Sequence, residues 1–246
     1  MHQFARWVAH AWVIYMITIA PFRGRKQYRS FAEKANNDPN IKTQYYLQSL
    51  RGGLNALIFL GLLFDSVPNP LEAIGLSVKP EDRWATVITA MLVLILGIAI
   101  TRPEARARMG NPKSREKALK GFEELNVLAL LPTTRRQEWL WYAAALSNGT
   151  WEELVYRGFL IFYFTHIFPG VSFFAALCAS SLIFGLAHLY QGIRGTISTT
   201  IFGALMGFLY WNTGNLILPI TCHVANDLYF GFYSPAGNDV ISEATS

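Results

Sequence analysis

Apolar side chains gather along this chain into seven blocks of helical length, at about 7–22, 54–67, 84–101, 139–168, 171–190, 196–211 and 216–233. Roughly 20 consecutive apolar residues cross a bilayer, so the shorter blocks are expected to gain a turn from their flanks. Short breaks rich in glycine, proline and amides at 169–170, 191–195 and 212–215 separate the last four blocks and predict tight helical hairpins. The pattern predicts an all-α fold, a polytopic membrane helical bundle of about seven transmembrane helices. No internal repeat, low-complexity tract or separate soluble domain interrupts it. The chain divides into N-terminal transmembrane helices with basic loops at 1–137, a helical core at 138–233 and a short tail at 234–246.

Composition sharpens this picture. Of the 246 residues, 52% are hydrophobic and 15% charged, where an ordinary soluble domain carries about 25% charged. A fully hydrated surface, a disordered chain and a collagenous one are excluded. Cys178 and Cys222 both lie inside apolar blocks and read as small packing residues rather than a disulfide framework.

The placement of charge matters more than its sum. Residues 22–51 hold seven Lys and Arg and residues 102–136 hold nine, together 16 of the 21. Positive residues favour the cytoplasmic side, so both connections are expected inside, with the N-terminus outside and the C-terminus cytoplasmic. The cluster Arg23, Arg25, Lys26 and Arg29 follows the first block, which marks that block as a retained anchor rather than a cleaved signal. The formal charge of +5 is therefore assigned to the lipid bilayer and topology and not to nucleic acid, because no aromatic-interleaved basic domain accompanies it. Compact size points to a prokaryotic plasma membrane. The sequon Asn148-Gly149-Thr150 lies within an apolar block and is discounted as a glycosylation site.

Beyond position 138 the apolar blocks contain the formally charged residues Glu152, Glu153, Arg157 and Asp227, with His166, His188 and His223. Each charge at a bilayer centre costs about 2.5 to 3.5 kcal/mol on insertion scales, so these groups are expected to turn toward one shared interior site. Glu153 and Arg157 stand four apart with the acid first, the favoured order for an intrahelical ion pair. Glu152, about 100° around the helix, is left to face something else. Phe184 with His188, and His223 with Asp227, are likewise four apart and share a face. Pro219 is expected to kink or loosen the last helix, and Gly203 with Gly207 to admit a close neighbour.

Glu152-Glu153-Leu-Val-Tyr-Arg157, Phe184-Gly-Leu-Ala-His188 and His223-Val-Ala-Asn226-Asp227 resemble the EExxxR, FxxxH and HxxxN/D motifs of the CPBP intramembrane proteases. That family includes the CAAX prenyl endopeptidases and the bacterial Abi relatives. The resemblance covers about residues 138–233, with the three motifs in order on consecutive blocks, whereas residues 1–137 carry no recognisable signature. It implies an intramembrane endopeptidase acting on a membrane-associated or lipidated peptide or protein. It further implies that Glu152 and His188 activate water and that His223 and Asp227 line an oxyanion site. Glu153, Arg157 and Phe184 would support them, and Asn226, beside Asp227, competes for the donor role.

The resemblance implies no cofactor. Zinc hydrolysis through the same His and Glu residues stands as an alternative. A proton-coupled transporter would also bury such groups but would show repeated or paired broken halves. A non-catalytic immunity or binding protein would keep the fold and lose the site.

Overall fold

A computed structural model describes residues 1–35, 37–77, 84, 86–92, 95 and 112–231. Among them the chain is helical, with no strand. The elements that build the site are α1 (Gln3–Thr18), α2 (Ala20–Ala35), α3 (Pro39–Phe64), a single turn α4 (Pro70–Ala73), α5 (Pro112–Glu124), α6 (Arg135–Glu153), α7 (Leu160–Ile167), α8 (Phe173–Ala187), α9 (Gly192–Thr213) and α10 (Ile217–Gly231). A π-helical turn, Leu154–Phe159, joins α6 to α7, and a 3₁₀ turn, Leu189–Gln191, joins α8 to α9. The third apolar block falls partly outside the described residues, as do residues 96–111 and 232–246.

The 22–51 connection is not a loop. α2 carries its basic residues outward and buries Tyr28, Phe31 and Ala35 on the opposite face, and α3 starts at Pro39, well before the apolar run at 54. Amphipathic periodicity, rather than mean hydropathy, makes this stretch helical. Asp38 caps α3 by accepting from Asn40 N at 2.9 Å.

The core forms where α1, α3, the π turn and α8 meet. Trp12 lies against Phe59 and Phe159, with ring centroids 4.7 and 4.8 Å away, and Phe159 and Leu160 are fully buried. Outside, the surface is apolar where a soluble protein would be polar. Ile193, Ile197, Ile201, Leu205 and Phe208 are all more than half exposed and run along one side of α9, a stripe suited to lipid. Among the described residues, Asn40–Phe64 alone is long and apolar enough to cross a membrane, and Phe173–Ala187 with Leu189–Thr213 pass the same test only together. The expected seven spans are thus not established by these helices.

Candidate active site

The site is assembled around a doublet of carboxylates at the C-terminal end of α6. Thr134 caps that helix, accepting from Gln137 N at 3.3 Å. Beyond Glu153 the backbone widens into the π turn, all six residues of which are buried. Ser180 on α8 donates its hydroxyl to the Tyr156 carbonyl within this turn. Such one-turn insertions are common at functional sites because they re-aim neighbouring side chains.

Glu153 and Arg157 form the expected pair, Nη1 to Oε1 at 2.9 Å, with both side chains buried. Glu153 does more than the spacing indicated. Its Oε1 also lies 2.7 Å from His223 Nδ1 on α10. A carboxylate only accepts, so Nδ1 carries the proton and Nε2 points on, 3.9 Å from both Glu152 Oε2 and Asp227 Oδ2. Arg157 meanwhile lies 4.4 Å over the Phe184 ring. Glu153 Oε2 and Arg157 Nε and Nη2 find no hydrogen-bond partner among the described residues.

His188 sits at the C-terminal cap of α8, its Nδ1 2.9 Å from the Phe184 carbonyl. A carbonyl cannot donate, so in the neutral ring Nδ1 holds the hydrogen and Nε2 is the acceptor. Phe184 packs between the two imidazoles, with centroids 4.6 Å from His188 and 6.0 Å from His223.

Helix crossings bring these groups together. A methyl group added at Gly149 would stand 2.9 Å from Val224 N, so α10 touches α6 at backbone distance one turn before the carboxylates. Gly203 plays a similar part against Arg157 Nη2 and Phe184. Pro219 lies in the first turn of α10, where a missing N–H costs no helical bond, so the expected kink is unnecessary. The Asn215 carbonyl it cannot serve accepts from Thr213 Oγ1 at 3.0 Å.

Glu152, His188, His223, Asn226 and Asp227 all line one cavity of about 290 Å³, with Phe184 in its wall. Residues 134–229 match the family described as Type II CAAX prenyl endopeptidase Rce1-like. This stretch is similar to an Rce1-like domain. It agrees with the motif resemblance to CPBP and CAAX proteases, and Rce1-like proteins are membrane hydrolases. No curated protein and no solved structure matches the chain.

Two contributions to the cavity escaped the motif reading. Asn148, one turn before Glu152, lines it with its Oδ1 held by Ser49 Oγ at 3.0 Å and Trp151 Nε1 at 3.1 Å. With both donors on the oxygen, the amide NH₂ is the end left to turn toward the cavity. The only available cue was the discounted sequon. The second contribution comes from outside the matched stretch: Tyr45, Tyr46 and Ser49 on α3, and Phe122, Leu125, Val127, Leu130 and Leu131, form part of the wall. Tyr28 and Tyr46 hydroxyls donate to the carbonyls of Asn126 and Leu130, and Lys42 Nζ donates to that of Leu131 at 2.8 Å. His166 takes no part, since it bonds the Phe162 carbonyl at 3.0 Å on α7. Among the described residues no group of three or more His, Cys, Asp or Glu is arranged to hold a metal ion.

Proposed function

We propose that this protein is an intramembrane endopeptidase that hydrolyses a peptide bond of a membrane-associated or lipidated substrate by a glutamate-activated water. The observation that carries the reading is the convergence of Glu152, His188, His223 and Asp227, all within the stretch similar to Rce1-like proteins, on one cavity. Glu152 takes a proton from water, which His188 Nε2 helps to hold, and the hydroxide attacks the scissile carbonyl. The resulting oxyanion lies against His223 Nε2–H. An imidazole donating from both nitrogens is a cation, and Glu153 and Asp227 stand within ion-pair distance of it. The proton taken by Glu152 passes to the leaving amine. Asn148 holds a substrate carbonyl with its NH₂, and Glu153 is a positioning residue that fixes the His223 ring. The protein uses no metal and crosses the membrane several times, with the basic helix α2 on the cytoplasmic side.

The test is cleavage of a membrane-embedded or lipidated peptide by purified protein in proteoliposomes, with Glu152→Ala as control. Wild-type cleavage that survives exhaustive chelation and disappears in the variant is expected. Activity lost on chelation and restored by stoichiometric zinc replaces the glutamate mechanism with a metal one. Binding of peptide with equal, background turnover in both proteins identifies a non-catalytic receptor.

A further inference from the structure

The basic helix α2 presents a surface that the proposed peptidase chemistry does not use. Phe22, Arg25, Lys26, Arg29, Ser30 and Glu33 line a shallow groove along its outer side. Phe22 is 64% exposed, and Arg25, Lys26 and Arg29 are exposed as well. Among the described residues these three cations are in no ion pair, whereas the neighbouring Arg23 reaches the Tyr15 hydroxyl at 3.5 Å. Three cations face one acid, Glu33, so the groove is complementary to an anion.

Its depth narrows the choice of anion. α2 begins at Ala20, directly after the apolar α1, and Arg29 stands seven residues beyond Phe22, about 10 Å along the axis. The polar layer flanking the hydrocarbon core is about 5 to 7.5 Å deep on each side, so Arg25 and Lys26, about 5 to 6 Å beyond Phe22, fall within it and Arg29 stands at its outer edge. Phe22 is thus placed to meet acyl chains while Arg25, Lys26 and Arg29 meet headgroups. We propose that the outer face of α2 is a docking surface for an anionic phospholipid, its phosphate held by Arg25, Lys26 and Arg29 and its acyl chain against Phe22.

The opposite face of α2 gives this docking a consequence. The Tyr28 ring lies 4.7 Å from Tyr190 and the Phe31 ring 4.2 Å from Tyr45, and both partners line the cavity. The helix that holds the lipid also backs the cavity wall.

The experiment places the full chain in nanodiscs of equal phosphatidylcholine and phosphatidylglycerol, then reads retained lipids by native mass spectrometry after detergent release. No catalytic readout enters, so the result is independent of the peptidase reading. Wild type is expected to retain phosphatidylglycerol preferentially. Each basic residue at a lipid surface contributes about fivefold, so Arg25→Gln/Lys26→Gln/Arg29→Gln should lose about hundredfold in preference, while Arg25→Lys/Arg29→Lys keeps it. Excess inorganic phosphate should leave the bound lipid in place, and its displacement of the lipid would assign the groove to soluble phosphate and overturn the proposal. Equal retention of both lipids by wild type, or unchanged preference in the triple glutamine variant, would overturn it too.

Discussion

Two adjacent carboxylates reach different surroundings because 100° of helix separates them: Glu152 opens onto the cavity, while Glu153 is sealed between Arg157 and His223. Their substitutions should therefore fail differently. Glu152→Gln and His188→Ala should lose at least about 10²-fold in turnover with an unchanged melting temperature in detergent. Glu153→Gln should lower the melting temperature first, since stranding a buried partner such as Arg157 costs about 3 to 5 kcal/mol. A stable Glu153→Gln that is catalytically dead while Glu152→Gln keeps its turnover would reverse the assignment of the doublet. Asp227 admits a sharper test, because an ionised carboxylate offers lone pairs and no proton. If it orients His223, Asp227→Asn should be as inactive as Asp227→Ala. Should Asp227→Asn stay active while Asp227→Ala loses about 2.7 to 4 kcal/mol of transition-state stabilisation, Asp227 is itself a donor. Loss confined to Asn226→Ala would move the role next door. Asn148→Ala should raise KM more than it lowers kcat, and Asn148→Asp, which replaces the NH₂ with an acceptor, should be worse; equal kinetics in all three forms would remove Asn148 from substrate binding.

Among the elements, the crossing of α6 and α10 decides the site. An alanine at Gly149 would press its methyl group against Val224 N, and backbone has no rotamer through which to yield. Gly149→Ala is expected to cost about 1 to 3 kcal/mol and to break the Glu153–His223 bond, read as a lower melting temperature together with lost cleavage. Gly61→Ala on α3, which meets nothing within 4 Å, should be neutral or stabilising. The same crossing explains what the chain's pattern disclosed. Spacings of four predicted the Glu153–Arg157 pair and the shared faces of Phe184 with His188 and of His223 with Asp227, because they are properties of a single helix. The Glu153–His223 bond depends on how closely two helices approach, and no local spacing encodes that. The π turn was equally hidden, since one extra residue per turn leaves the apolar pattern of 154–159 unbroken. Helix α2 was misjudged as a loop because charge lowers hydropathy without disturbing periodicity.

At the scale of the whole molecule, the positive charge of residues 22–51 predicts their side of the membrane. With Cys178 and Cys222 replaced, a single cysteine at the exposed Ser30 should resist an impermeant thiol reagent in intact cells and react after permeabilisation; ready labelling before it would invert the topology. The stretch similar to Rce1-like proteins begins at residue 134, yet Tyr45, Tyr46, Ser49 and residues between 122 and 131 also line the cavity. Reactive groups and part of the enclosing wall therefore reside in different parts of the chain. On the proposed peptidase reading, mutation can remodel this part of the wall, and with it the choice of substrate, without touching Glu152 or His188. A chimera joining this matched stretch to the first 133 residues of another such protein should accordingly cut what the donor of those residues cuts.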